Sequence, residues 1–147
     1  AISTDSLSAM EAAMALQKDP DSLAAALGIR MKHLIVPITL LQRARMVLNS
    51  EFYVGASSTD NTAANAVRGA FTLIAEPRLD AASTPAWYGA ADASMHDTVE
   101  VAYLDGNETP FMDRREGWSV DGVEFKVRLD VGVKALDFRG LAKNVGP

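Results

Sequence analysis

An alternation of apolar and polar side chains near the C-terminal end constrains the fold of this chain more than any other feature. From Val123 to Val133 every second residue is Val, Phe or Leu, and the residues between them are charged except for Gly132. A repeat of two residues is the period of a β-strand with one buried and one solvent-facing side. The pattern therefore predicts a half-buried strand of about eleven residues, about twice the usual length.

Two Asp-Gly pairs indicate tight turns near this strand. Asp121–Gly122 directly precedes it and predicts a hairpin in which Trp118–Val120 is the partner strand. Asp105–Gly106 predicts a similar turn earlier in the chain. The opposite charges on the polar side of the long strand suit a ribbon that lies beside other chains, and they suit an ordinary solvated face equally well.

The N-terminal segment predicts a helix over Thr4–Asp19, because Leu7 and the methionines that follow it recur at helical spacing. Ser8 and Glu11 match a capping box, although a start at Thr4 or Ser6 fits as well. Pro20 ends the helix, because proline disfavours helical geometry in the residue before it.

The rest of the chain predicts short helices and strands bounded by Gly and Pro. They are a helix over Ser22–Leu27 closed by Gly28, a strand over His33–Val36, a helix over Ile38–Leu48, an exposed loop over Gly55–Asn65, and strands over Ala70–Ala75, Trp87–Ala91 and Thr98–Leu104. Pro77 and Pro85 border the first two of these last strands, which predicts edges or sharp connections rather than central strands for both. Helices first and antiparallel ribbons last make the predicted fold class α+β.

Composition excludes several classes of protein. Apolar residues make up 48% of the 147 residues and charged residues 22%, which is ordinary for a globular chain. Cysteine is absent, which excludes disulfides, thiolate zinc sites and a cysteine nucleophile. The formal net charge of −5 argues against non-specific nucleic-acid binding, which needs clustered Lys and Arg. No apolar run approaches the ~20 residues of a membrane-spanning helix.

The sequence contains no recognisable catalytic or metal-binding pattern. We expect His33 to be a structural residue with its hydrogen bonds satisfied, and His96 to be solvated. A nucleophile elbow, a phosphate-binding loop and the ligand spacing of a metal site are all missing, and Asp105–Glu108 is typical of a turn. Asp80, Asp130 and Asp137 fit a turn, a strand face and a strand end. We therefore predict no catalytic, cofactor-binding or metal-binding residue, no cofactor and no enzyme activity.

Several stretches, taken in order, are similar to a known family. They are Leu27–Pro37 (LGIRMKHLIVP), Leu48–Phe52, Glu76–Asp80, Ala86–Tyr88, Val99–Gly106, Asp121–Asp130, Arg139–Gly140 and Lys143–Asn144. In this arrangement the chain resembles phage major capsid proteins of the Hong Kong 97 type, in particular the branch of Mu-like major head subunits and prohead-protease/capsid fusion proteins. The resemblance covers about Leu23 to Pro147, and it departs from the family at Met31, where a proline is expected.

The resemblance implies a Hong Kong 97-like capsid fold, of which this chain is the C-terminal part. Residues 1–22 would be the end of the peripheral domain's spine helix, residues 23–110 the axial domain, and residues 111–147 the peripheral domain's long β-ribbon. The family's N-terminal arm and extended loop are not in this sequence. We therefore expect this piece alone to be a monomer or weak oligomer, and the start at Ala1 leaves proteolytic maturation, an expressed fragment and an upstream protease domain all open.

The family works by self-association, so the resemblance also implies the partners. Full-length subunits would form pentamers and hexamers that close into the icosahedral head around DNA, with a scaffold protein or prohead protease as further partners. No membrane and no specific nucleic acid is expected as a partner. The implied location is the virion capsid, with assembly in the bacterial cytoplasm.

Two other classes of function stay open at this point. One is a small hydrolase domain with an unrecognised site, which a deep pocket joining His96 to two acids would favour. The other is a binding module that adds a peptide strand along Val123–Val133, which an exposed apolar edge without a ring-forming surface would favour.

Overall fold

The computed structural model describes residues 1–18, 25–53, 63–117 and 121–146. In chain order the elements are α1 (Thr4–Ala15), β1 (Met31–Val36), α2 (Ile38–Asn49), β2 (Thr72–Ala75), α3 (Arg78–Ala82), β3 (Trp87–Ala91), β4 (Val99–Tyr103), a 3-10 turn (Leu104–Gly106), β5 (Phe111–Glu116), β6 (Val123–Arg128), β7 (Val131–Ala135) and β8 (Leu141–Asn144). They form two compact units: a sheet unit of Ala1–Thr98 and Asp137–Pro147, and a ribbon unit of Val99–Leu136. The mixed α+β character agrees with the predicted fold class.

A four-stranded sheet in the order β2-β1-β3-β8 organises the sheet unit. Strands β1 and β2 are parallel, whereas β3 is antiparallel to both of its neighbours, β1 and β8. Parallel neighbours need a crossover connection, and α2 provides it between β1 and β2.

The hydrophobic core lies between one face of this sheet and the helices. Helix α1 contributes Leu7, Met10 and Met14, helix α2 contributes Ala44, Val47 and Leu48, and the sheet contributes Met31, Leu34, Val36 and Trp87. Side chains alternate between the two faces of a strand, so His33 and Ile35 belong to the other face, which is called the outer face below. Gly89 lies on the core face, where a Cβ atom would collide with the sulfur atoms of Met31 and Met10.

Helix α1 begins at Thr4, as predicted, and ends at Ala15, four residues before the predicted end at Asp19. Ser3 is the N-cap: its hydroxyl accepts a hydrogen bond from the Ser6 amide at 3.2 Å, and the Ser6 hydroxyl accepts one from the Ser3 amide at 2.9 Å. Ile2 and Leu7, on either side of this capping box, are both fully buried, so the start of the helix is held from both directions. The capping box predicted at Ser8 and Glu11 is therefore wrong, whereas the alternative start at Thr4 is right.

The C-terminal end of α1 is followed by backbone pairing within the described residues. Lys18 pairs with Ala26, and the Leu27 and Gly28 amides donate to the carbonyls of Gln17 and Ala15. The helix predicted over Ser22–Leu27 lies partly outside the described residues, and its described end, residues 25–27, is not helical. Gly28 has a φ of 65°, the left-handed conformation expected of it.

Helix α2 receives its N-terminal cap from a distant residue. Pro37 occupies the N-cap position and has no side-chain oxygen, and the Asp80 carboxylate instead accepts hydrogen bonds from the amides of Ile38 at 2.7 Å and Thr39 at 3.2 Å. Partial desolvation opposes ionisation of Asp80, but hydrogen bonds from Thr39 and Ile38 outweigh it, so the pKa of Asp80 lies below its usual value. Asp80 therefore ties α3 to α2, a role that its predicted place in a turn did not include.

Strands β2 and β3, which are bordered by Pro77 and Pro85, occupy different positions in the sheet. Strand β2 is an edge strand, as predicted, but β3 is central, between β1 and β8. The inference from Pro85 was wrong for β3 because this proline precedes the strand by two residues. It takes no amide away from the ladder, which begins at Trp87.

The long C-terminal strand is interrupted and is not half-buried. It breaks at Leu129–Asp130 into β6 and β7, which pair with different partners, β5 and β4. Every residue of β6 and β7 is solvent-exposed in the isolated chain. The predicted partner Trp118–Val120 lies outside the described residues, and β5 pairs with β6 over its whole length.

The compact units begin and end at other residues than the domains predicted at 1–22, 23–110 and 111–147. The assignment of those segments to axial and peripheral domains therefore stays a prediction. No helix in the described part of the chain is long and apolar enough to cross a membrane.

Candidate assembly surface

Strands β5 and β6 form an antiparallel ribbon with two chemically different faces. On one face Asp113 lies opposite Lys126, and Arg115 lies opposite Glu124, with 2.8 Å between the guanidinium and the carboxylate. At the end of the same face the Arg128 guanidinium lies 5.4 Å from the centre of the ring of Phe111. Directly opposed residues share a face, so this is a charged face with its opposite charges paired across the strands.

The other face of the same ribbon is apolar and exposed. Met112 lies opposite Val127, Arg114 opposite Phe125, and Glu116 opposite Val123. The apolar members of these pairs are 71% (Met112), 63% (Val127), 72% (Phe125) and 51% (Val123) exposed. This set of six residues is called the apolar ribbon face below.

Strands β4 and β7 repeat the arrangement in a second two-stranded sheet. Val101 lies opposite Val133 and Tyr103 opposite Val131 on one face, whereas Glu100 lies opposite Lys134 on the other. The alternation found in the sequence therefore continues through β6 and β7 and makes one face of each ribbon apolar.

Nothing in the described part of the ribbon unit forms a core, since none of its residues is buried. A two-stranded ribbon is marginally stable in water at best without a layer against its apolar face. Full burial of a Val, Met or Phe side chain is worth about 1.5–3 kcal/mol, so covering the exposed parts of the four apolar side chains would contribute roughly 4–8 kcal/mol. Exposed apolar surface of this kind marks an interaction site.

The outer face of the four-stranded sheet carries a second apolar patch, beside the polar pair of His33 and Thr72. Ile35 pairs with Ile74 on one side and with Tyr88 on the other, and Tyr88 pairs with Lys143, so these residues form a row across all four strands. The Lys143 ammonium lies 5.7 Å from the centre of the Tyr88 ring. Beside this row is a depression of about 210 Å³, lined by Ile35, Leu79, Tyr88, Gly89, Leu141 and Ala142 together with Glu76.

Glu76 is the charged residue in the lining of this depression. Both of its oxygens accept hydrogen bonds from Arg78: Oε1 from Nε at 2.7 Å and from the backbone amide at 3.1 Å, and Oε2 from Nη2 at 3.2 Å. These bonds to Arg78 lower the pKa of Glu76, so the carboxylate is ionised at neutral pH. An ionised carboxylate can accept further hydrogen bonds, which leaves Glu76 able to receive another donor.

His96 was predicted to be solvated, but its side chain is only 21% exposed. Its Nε2 atom lies 3.3 Å from Asp137 Oδ2, and Arg139 lies 3.6 Å from the same oxygen. Gly140 packs against the imidazole so closely that a Cβ atom there would collide with His96. The amide of Arg139 lowers the pKa of Asp137 most, despite partial desolvation, and the charge of Arg139 adds to the effect. These contacts join the two segments of the sheet unit, at the points where the first segment ends near Thr98 and the second begins at Asp137.

The remaining sequence candidates do not combine into a site. Nδ1 of His33 is buried without a hydrogen-bond partner among the described residues, so the predicted satisfied histidine is not found. Asp105 and Gly106 form the predicted turn, with positive φ angles of 54° and 70°. No cluster of three or more His, Cys, Asp or Glu suited to a metal ion occurs in the described ranges.

One important residue was missed by the sequence interpretation. The loop predicted over Gly55–Asn65 lies mostly outside the described residues, but Asn65 is described and is buried. Its side-chain nitrogen Nδ2 donates to the backbone carbonyls of Val47 at 2.6 Å and Ser50 at 3.0 Å. Its side-chain oxygen Oδ1 accepts a hydrogen bond from the backbone amide of Val67 at 3.2 Å. A single polar residue in a polar stretch carries no periodic signal that could have revealed this role.

Comparison with known proteins addresses the function directly. A family described as phage capsid protein matches residues 1–144, nearly the whole chain. No curated protein and no solved structure matches the chain. The family is structural, and its match favours neither the hydrolase nor the strand-addition module; the absence of enzyme activity stays a prediction. The chain therefore belongs to the phage capsid protein family and is a structural subunit of the phage head, where it assembles with other subunits into the capsid of the virion.

Proposed function

We propose that this chain is the C-terminal part of a Hong Kong 97-like major capsid subunit of the Mu-like branch, which forms pentamers and hexamers in an icosahedral head. The observation that carries the proposal is the ribbon unit, whose described residues are all at least partly exposed. A segment with regular strands, alternating apolar and polar side chains and no core among its described residues is expected of a subunit that neighbouring subunits complete.

The ordered resemblance supports the finer assignment. The stretch Leu27–Pro37, which resembles the family, contains β1 and leads into α2, and the stretch Asp121–Asp130 contains β6. On this assignment residues 1–22 end the spine helix, residues 23–110 form the axial domain around the five-fold and six-fold axes, and residues 111–147 belong to the peripheral domain. Assembly takes place in the bacterial cytoplasm, with a scaffold protein or prohead protease as further partners.

The test is expression of the full reading frame in bacteria, followed by electron cryo-microscopy of the product. Closed shells with residues 23–110 around the five-fold and six-fold axes are expected. Closed particles whose subunits follow another fold would overturn the Hong Kong 97 assignment. A protein that stays unassembled with scaffold and protease present would count against the proposed role in the head.

A matched pair of variants tests the role of the apolar ribbon face. Phe125 and Lys126 are neighbours in β6 that lie on opposite faces of the ribbon. Phe125→Ser is expected to lower the yield of particles by about tenfold or more, because it removes an aromatic anchor, whereas Lys126→Ser is expected to leave the yield nearly unchanged. Equal yields from the two variants, with unchanged circular dichroism, would show that the apolar ribbon face is not an assembly contact.

A further inference from the structure

We infer that the apolar ribbon face of one copy docks on the outer face of the four-stranded sheet of a neighbouring copy, with Phe125 seated in the depression beside Ile35 and Tyr88. The inference deepens the proposed function and rests on it, because it names which two surfaces of the subunit meet. The occupant of the depression is thus a second copy of this chain.

The apolar surfaces of the two partners match in kind. The ribbon presents Phe125, its most exposed apolar side chain, in the middle of β6. The sheet presents a depression of about 210 Å³ whose lining, apart from Glu76, is apolar. Binding energy at protein interfaces concentrates where an aromatic side chain fills a well-packed apolar pocket. Val123 and Val127 lie on the same face of β6 and would extend the contact along the outer face.

The charges match in position. Arg114 lies directly opposite Phe125 in the ribbon, and residues opposed in this way have Cβ atoms about 5 Å apart. In the orientation that we infer, a ribbon that inserts Phe125 into the depression also turns the neighbouring Arg114 toward Glu76, which lines the same depression. The Arg114 side chain makes no ion pair within the described residues, and the Glu76 carboxylate has room for another donor beside Arg78.

The geometry also suits a closed shell. Rings of identical subunits need a heterologous contact, in which one patch meets a different patch on the next copy. This chain carries two different apolar surfaces, one on the ribbon unit and one on the sheet unit. Both are β-structured, and two β layers pack face to face about 10 Å apart with their side chains interdigitated. A ribbon face pairing with its own copy would instead give a two-fold dimer and leave the depression empty.

The natural absence of cysteine permits a direct test by cross-linking. Chains carrying Phe125→Cys are co-assembled with chains carrying Tyr88→Cys, and the particles are treated with a short thiol-to-thiol cross-linker before denaturing electrophoresis. Chains carrying Lys126→Cys, on the charged face of the ribbon, replace the first variant in the control. Dimer formation is expected to be about tenfold higher with Phe125→Cys than with Lys126→Cys, since only the former side chain faces the sheet.

Three outcomes would overturn the inference. Particles without the Phe125–Tyr88 cross-link would show that these surfaces do not meet, while self-assembly itself would stand. Cross-linking in particles of Phe125→Cys alone would identify a contact between two ribbons. An equally strong dimer band with Lys126→Cys would show that the apolar ribbon face is not the face that meets the sheet. Failure of the unmodified protein to form particles would instead count against the proposed function.

A second measurement keeps the inference testable if the cysteine variants do not assemble. Arg114→Glu places a carboxylate against Glu76 and is expected to lower particle yield about tenfold, while the double variant Arg114→Glu with Glu76→Lys is expected to recover most of the yield. The control is Lys126→Glu combined with Glu76→Lys, because Lys126 lies on the charged face of the ribbon. Its particle yield is expected to be no higher than that of Glu76→Lys alone. A double variant no better than Arg114→Glu alone would contradict the inferred contact.

Discussion

Asn65 offers the sharpest test of how the sheet unit is held together. Its side chain joins the C-terminal end of α2, through the carbonyls of Val47 and Ser50, to the turn over residues 66–69, through the Val67 amide. It also lies 3.5 Å from the hydroxyl of Thr4 at the start of α1. Replacing Asn65 by Ala removes these bonds while leaving the surrounding backbone in place.

The expected loss of stability follows from the number of hydrogen-bond partners that Asn65→Ala leaves unpaired. Each hydrogen bond contributes about 1 kcal/mol net, and a buried polar group left unpaired costs about 1–3 kcal/mol. The Val47 carbonyl is the more buried of the two acceptors, so we expect Asn65→Ala to lower the free energy of unfolding by about 2–4 kcal/mol. For a chain of 147 residues this corresponds to a fall in Tm of roughly 6–12 °C.

An isosteric variant isolates hydrogen bonding from packing. Asn65→Asp keeps the shape but turns a carboxylate oxygen toward two carbonyl oxygens, so at neutral pH its destabilisation should match or exceed that of Asn65→Ala. Lowering the pH should then recover part of the loss, because the protonated carboxyl can donate one hydrogen bond.

Calorimetry and urea unfolding measure these effects. Asn49→Ala is the control, since Asn49 is exposed at the end of α2, and it should stay within about 0.5 kcal/mol of the unmodified protein. If Asn65→Ala were equally neutral, the reasoning that this side chain joins α2 to the following turn would be refuted.

The remaining predictions concern glycine substitutions and the dependence of stability on pH. Gly89→Val should lower the free energy of unfolding by about 1–3 kcal/mol, because a Cβ atom meets the Met31 sulfur, whereas Gly132→Ala, which meets open space, should change urea unfolding little. Asp80 and Asp137 have folded-state pKa values below the ordinary aspartate value of 3.8, so their stabilising effect is present above pH 3.8 and is lost as the pH falls through the lowered values. Tm should therefore fall steeply below about pH 4, and Asp80→Asn should flatten that dependence; an unchanged slope would contradict the assigned role of the carboxylate.

Local signals in the sequence predicted most of the regular elements. Helical spacing predicted α2 nearly to the residue, and the short apolar run after Pro85 predicted β3 with its observed bounds. The start of α1 at Thr4 was predicted, but its capping box was placed at Ser8 and Glu11, because several serines can serve as N-caps. The buried Ile2, which decides between them, is a tertiary contact.

The candidate surface could be predicted only in part. The alternation of Val123–Val133 correctly indicated an apolar face, but the same pattern suits a strand buried in its own chain and a strand buried by a neighbour. The depression beside Ile35 and Tyr88 had no sequence signal, since it is formed by residues from separate strands and from α3.

The sequence by itself therefore determined the mixed α+β class, the periodic elements and the two-faced character of the C-terminal strands, because these depend on residues close together in the chain. Only the tertiary structure decided that Asp80 caps α2, that Asn65 joins the end of α2 to the next turn, and that β6 and β7 have different partners. Each of these depends on which distant groups meet. A single buried donor or acceptor leaves no periodic trace in the sequence, whereas its cost when unpaired makes its position decisive in the fold.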